Sequence, residues 1–165
     1  MLFRSLLDTL RTADVRFVVI GGVAMVLRGS VRLTVDLDVC YARDAANLDR
    51  LAAALAPHQP RLRGAPPELP FIWDAQTLRS GLNFTLITTL GDLDLLGEVT
   101  GIGGYDDVAR LATEQEVAGL GLMVLTLDGL ERAKRSAGRV KDLLDLEEIA
   151  EIKRQSSDPN RDDGR

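Results

Sequence analysis

Two short runs place carboxylates two residues apart among apolar neighbours: Val35-Asp36-Leu37-Asp38-Val39 and Gly91-Asp92-Leu93-Asp94-Leu95. Side chains alternate along an extended strand. Asp36 and Asp38 therefore project together, about 7 Å apart in backbone terms, and so do Asp92 and Asp94. Two unpaired carboxylates this close repel, and one of them tends to keep a proton. A divalent cation removes that cost, because hard carboxylate oxygens suit Mg²⁺, which keeps several waters and also binds substrate phosphates. If the two strands lie side by side, Asp94 completes a three-carboxylate cluster with Asp36 and Asp38, and Asp92 is the second choice. Such a cluster supports metal ions around an attacking and a leaving oxygen. The plain alternative is a pair of solvated faces on edge strands.

Gly21-Gly22 follows the β-branched and aromatic run 16–20 and precedes a helix-like segment, 23–28. Backbone N–H groups at such a turn, helped by the helix N-terminus, can cradle a phosphate. Arg32 and Thr34 lead into the first carboxylate run, and Thr34 shares the Asp36 face. The cations concentrate late in the chain, at Arg132, Lys134, Arg135, Arg139 and Lys141. They form the local positive patch that an acidic triphosphate-binding protein needs. The alternative for them is a solvated helix face with pairs such as Lys141–Asp145. His58 sits in a proline-rich loop and reads as non-catalytic. Cys40 shares the Asp face and reads as a small buried residue. Trp73 reads as core or lid packing ahead of base stacking, and Glu98 as a neighbour of the third carboxylate.

The composition narrows the choices. A chain of 165 residues makes one domain, assigned to 1–153 with a disordered tail at 154–165. Hydrophobic residues at 45% and charged residues at 27% exclude global disorder. The longest apolar runs fall far short of the ~20 residues needed to cross a bilayer. An early Arg4 and no apolar block beside it give no secretory signal, which points to the cytoplasm. One Cys and one His exclude a disulfide framework and Cys- or His-based metal clusters, and weigh against a Ser-His-Asp hydrolase. The net charge of −5 excludes nucleic-acid binding through bulk electrostatics.

Helical spacing is predicted over 2–13, 45–55 (capped by Asp44), 74–79, 128–136 and 139–153, the last two broken near Gly138. Alternation predicts strands over 33–41, 83–89 and 92–97, and a second hairpin at 114–118 and 122–126. Five of the six prolines crowd residues 57–70, which read as a loop. The fold class is therefore α/β (α+β): a small mixed sheet flanked by helices, ending in a helical segment.

Val18-Val19-Ile20-Gly21-Gly22, Arg32-Leu33-Thr34-Val35-Asp36-Leu37-Asp38 and Leu93-Asp94-Leu95 together resemble the nucleotidyltransferase fold of the DNA polymerase beta superfamily. The late segment, Lys134 with Gly138-Arg139-Val140-Lys141-Asp142-Leu143-Leu144-Asp145-Leu146, resembles the small AbiEii-type subgroup that includes MenT-like toxins. The likeness spans roughly residues 14–150. It implies catalytic metal, Mg²⁺ or else Mn²⁺, on Asp36, Asp38 and Asp94. It implies nucleotide contacts at Gly21, Gly22, Arg32, Thr34, Arg139 and one late lysine, Lys134 ahead of Lys141. The family often has Gly-Ser at the turn; Gly22 here removes that hydroxyl. The implied reaction moves an NMP from a nucleoside triphosphate to an RNA, such as a tRNA 3′ end, or to a protein hydroxyl. The implied role is the toxin of a toxin–antitoxin pair, with an antitoxin partner and no membrane. A non-catalytic nucleotide- or partner-binding module on the same fold is the alternative.

Overall fold

The computed structural model describes residues 3–66 and 68–157, except for the side chains of Lys141 and Ser157. Helix α1 (Arg4–Thr12) buries Leu6, Leu7 and Leu10 on one face, as their spacing predicts. Strand β1 (Phe17–Ile20) is buried along its length and runs straight into α2 (Gly21–Leu27), which begins at the glycines themselves. Strand β2 (Asp36–Tyr41) leads to α3 (Ala45–Leu55), capped as expected by Asp44, whose side chain accepts from the Asn47 N–H. The proline-rich stretch is less irregular than predicted. It holds a short 3₁₀ turn (Ala56–His58) and a two-residue strand, β3 (Arg61–Leu62).

Helix α4 (Ala75–Ser80) precedes the expected hairpin of β4 (Asn83–Thr88) and β5 (Gly91–Leu96). The glycine-rich loop carries two short strands, β6 (Glu98–Val99) and β7 (Gly103–Gly104), and then a helix that the sequence pattern did not reveal, α5 (Tyr105–Arg110). A second hairpin, β8 (Ala112–Val117) and β9 (Leu120–Leu125), leads to α6 (Leu127–Ala137) and α7 (Val140–Ser157). Helix α7 thus continues past residue 153 into the segment expected to be disordered; residues 158–165 lie outside the described residues. No helix among the described residues is long and apolar enough to cross a membrane.

Seven strands form one sheet in the order β3-β4-β5-β2-β1-β9-β8. Strand β2 lies at its centre, antiparallel to β1 and parallel to β5. One face of this central region is the core: Leu37, Val39, Tyr41, Leu93 and Leu95 are fully buried, beside Leu86 and Phe84. Burying such side chains contributes about 1.5–3 kcal/mol each, which holds the register of the strands.

The first carboxylate strand is shorter than its alternation predicts. Val31, Leu33 and Val35 are 94%, 99% and 76% exposed, and pairing begins only at Asp36. The cause lies next door. Strand β1 pairs Ile20 with Asp38 and then turns at Gly21, so the residues before Asp36 have no strand partner on that side.

Candidate active site

Strand β2 pairs with β5 in parallel, with Asp36 opposite Asp92 and Asp38 opposite Asp94. Directly opposed residues share a face, so all four carboxylates form one wall on the side away from the core. This is the juxtaposition expected for Asp36, Asp38 and Asp94, and it brings in Asp92 as well. Asp38 sits deepest. Its carboxyl is pushed from an ordinary 3.8 up to about 6, first by burial and then by the charges of Asp36 and Asp94. A hydrogen bond from the Gly22 N–H and the charge of Lys134 act in the opposite direction. Burial also raises Asp94, where Arg63 opposes the shift and Asp36 reinforces it.

Arg63 is the residue the sequence did not flag. Its Nη2 donates to both oxygens of Asp94 at 2.8 and 3.0 Å and lies 3.5 Å from Asp36, while Nη1 donates to Asp92 at 3.1 Å. Among the described residues no three Asp, Glu, His or Cys side chains are grouped as ligands of a metal ion. The positive charge in direct contact with Asp36, Asp92 and Asp94 is this guanidinium, and Lys134 acts on Asp38 from the facing side. An Arg two residues after Arg61, between Pro60 and Pro66, carries no periodic or motif signal, so only the β3–β4 pairing reveals it.

The glycine turn abuts the wall. Gly21 has φ +60°, and a Cβ there would lie 2.2 Å from Oδ2 of Asp38 and 2.8 Å from its Cβ. A side chain at position 21 would therefore displace Asp38, besides sitting in a backbone region that favours glycine. At Gly22 a Cβ would meet Oγ1 of Thr34 at 2.6 Å. The space beside the second glycine is thus filled by a hydroxyl from another segment. Thr34 Oγ1 also lies 3.2 Å from the Asp36 carbonyl oxygen, to which it donates.

Helices α6 and α7 supply the facing wall. They meet at Gly138, whose φ of +62° forms the left-handed cap that ends α6. Lys134 pairs with Asp145 and lies 3.7 Å from Asp142. Arg139 Nε donates to Asp142 at 2.9 Å, and that bond holds the Asp142 carboxyl below its ordinary range. Arg32 reaches this helix too, pairing with Asp145 and, at 2.8 Å, with Glu148, which also accepts from Ser30 at 2.8 Å. Lys134, Arg139 and Arg32 therefore gather where expected, each already paired with a carboxylate. Lys141 begins α7, and its side chain lies outside the described residues.

Two hollows of about 550 and 440 Å³ open on either side of Asp38 and Asp94, sharing Gly21, Lys134 and Arg139. The smaller is bounded by Gly22, Arg32, Thr34 and Asp36. The larger has an apolar floor of Ile20, Phe84, Leu95, Val99 and Leu130. His58, Trp73 and Cys40 line neither. Trp73 packs near Phe71 and edge-on to Phe84. Cys40 is fully buried, with its thiol pushed up to about 12 by burial and by Glu98.

The sequence matches no family model and no curated protein. Three solved structures share its architecture. A candidate nucleotidyltransferase of Thermotoga maritima superposes with a TM-score of 0.57 at 18% identity, covering 90% of this chain and 89% of its own. The lincosamide antibiotic adenylyltransferase LnuA, with lincomycin bound, gives 0.57 at 15% identity, over 90% and 94%. An antigenic nucleotidyltransferase-like protein of Paracoccidioides brasiliensis gives 0.53 at 16% identity, over 91% and 72%. The chain has the nucleotidyltransferase fold.

Proposed function

We propose that the protein is a metal-dependent nucleotidyltransferase that moves an NMP from a nucleoside triphosphate to a hydroxyl. The observation that carries this reading is the wall of Asp36, Asp38 and Asp94 with a glycine turn packed against Asp38. The donor chemistry is all oxygen and suits a hard divalent cation, Mg²⁺ or Mn²⁺, although no three of the described carboxylates are grouped as its ligands in this arrangement. Burial first, and then the charges of Asp36 and Asp94, push Asp38 up to about 6, and the charge repulsion is a cost such an ion relieves. Asp36, Asp38 and Asp94 would hold it. When bound, the metal supplies Lewis acidity toward phosphate oxygens.

The chain's own groups do the rest. The backbone at Gly21 and Gly22 and the Thr34 hydroxyl receive the triphosphate in the smaller hollow. Lys134, Arg139 and Arg32 offset its charge, with Lys141 as the further candidate. The acceptor enters the larger hollow. Its oxygen bonds to the α-phosphorus as the bond to pyrophosphate breaks, and Asp94 takes the hydroxyl proton. An RNA such as a tRNA 3′ end, or a protein side chain, is the proposed acceptor class. A toxin role with a cognate antitoxin goes with it.

A screen of radiolabelled nucleoside triphosphates against total RNA and protein extract, with Mg²⁺ or chelator, tests the reaction. Label entering one acceptor only with metal is the expected result. Growth arrest on expression tests the toxin role. A nucleotide- or partner-binding module without turnover is the second reading. It is favoured by Arg63, which already satisfies Asp92 and Asp94. Calorimetric binding of nucleotide with no transfer to any acceptor would select it.

A further inference from the structure

The guanidinium of Arg63 spans three of the four wall carboxylates, arriving from the outer edge of the sheet. Its backbone is fixed: the Arg63 N–H donates to the Thr85 carbonyl at 2.8 Å, extending the β3–β4 ladder one residue past Leu62. Its side chain is 26% exposed, so it reaches the wall on a flexible stem with a path to water. A guanidinium stays protonated at any working pH, so this one leaves the carboxylates only by moving.

We propose that Arg63 is the resident counter-ion of the carboxylate wall, and that a divalent cation binds there by displacing it. This rests on the reading of the wall as a metal site. Both Asp94 oxygens accept from Nη2, and Asp36 shares the same nitrogen. A metal drawing on those oxygens needs the same lone pairs, and a fixed positive charge beside it repels it. Metal binding is thus an exchange of one cation for another. The released fork is then free for an anion, and its planar bidentate geometry matches the phosphate oxygens that a metal–nucleotide complex brings.

The test is a Mn²⁺ titration by calorimetry, without nucleotide, on wild type, Arg63→Gln and Arg63→Lys. Arg63→Gln is expected to bind about tenfold more tightly than wild type. Arg63→Lys keeps the charge but loses the fork, and is expected to fall between them. Without metal, Arg63→Gln melts below wild type, and Mn²⁺ closes the gap. Unchanged or weaker Mn²⁺ binding by a folded Arg63→Gln overturns the exchange while leaving the metal site intact. Should Arg63→Gln fail to fold, Arg63→Lys carries the same test, and affinity equal to wild type overturns it. No Mn²⁺ binding by either protein at millimolar concentrations overturns the exchange and the metal reading together.

Discussion

On the sheet, Asp36, Asp92 and Asp94 share one guanidinium that comes from an edge strand. On the helical hairpin opposite, Lys134 and Arg139 share Asp142 and Asp145 from the same hairpin. Each wall carries its own counter-charge, yet the two are built differently. Asp142 is 1% exposed and Lys134 13%, and the Arg139–Asp142 pair is local, three residues apart. Arg63 is half-buried and contacts residues about thirty positions away. Removing one partner of a buried pair strands a charge, whereas an ion pair open to water is worth little. The Lys134 pairing is thus the more enclosed of the two, while Arg139 is 58% exposed, and the proposed exchange falls on the sheet pair.

The sharpest break of that contrast is in activity. Under the proposed reading of the wall as the chemical centre, Asp36→Ala or Asp38→Ala should each lower NMP transfer by at least about 10³-fold with unchanged circular dichroism. Retained transfer in a folded double variant removes the site assignment. Stability reads the other wall. Asp142→Ala should cost about 2–3 kcal/mol in a urea melt, leaving Lys134 buried beside Asp145 alone. Arg63→Gln should cost under about 1 kcal/mol; equal losses would erase the distinction. Gly21→Ala strikes the junction. It pushes Asp38 aside and strains a backbone at φ +60°, for about 1 kcal/mol of stability and a larger proportional loss of transfer.

The smallest effect is in pH. Asp38 titrates near 6 in the folded chain and near 3.8 when unfolded, so the folded state holds this proton more tightly. The stability it contributes is complete below about pH 4 and lost as pH rises through about 6. In metal-free melts, Asp38→Asn should therefore gain on wild type more at pH 7 than at pH 4. A gain that does not change with pH would show that Asp38 carries no such strain.

The carboxylates were legible because alternation is a local signal: Leu37 and Leu93 must face the core, so the aspartates on either side cannot. Their meeting was not local. It depends on β2 pairing in parallel with β5 across some fifty residues, which no short window encodes. Alternation also continued too far, counting Leu33 and Val35 as strand where β1 has already turned away. Helix α5 went unseen because Val108 is its one buried apolar anchor, after a run of glycines. Arg63 was invisible because its meaning comes wholly from a two-residue strand among prolines.

The crowding of Gly22 against Thr34 reaches beyond this one chain. Two positions twelve apart compete for a single volume, with 2.6 Å between a would-be Cβ and an existing hydroxyl. Bulk gained at one must be surrendered at the other. Across an alignment of relatives, then, the glycine and the threonine should change as a linked pair, and a sequence carrying side chains at both would need the threonine side chain turned aside.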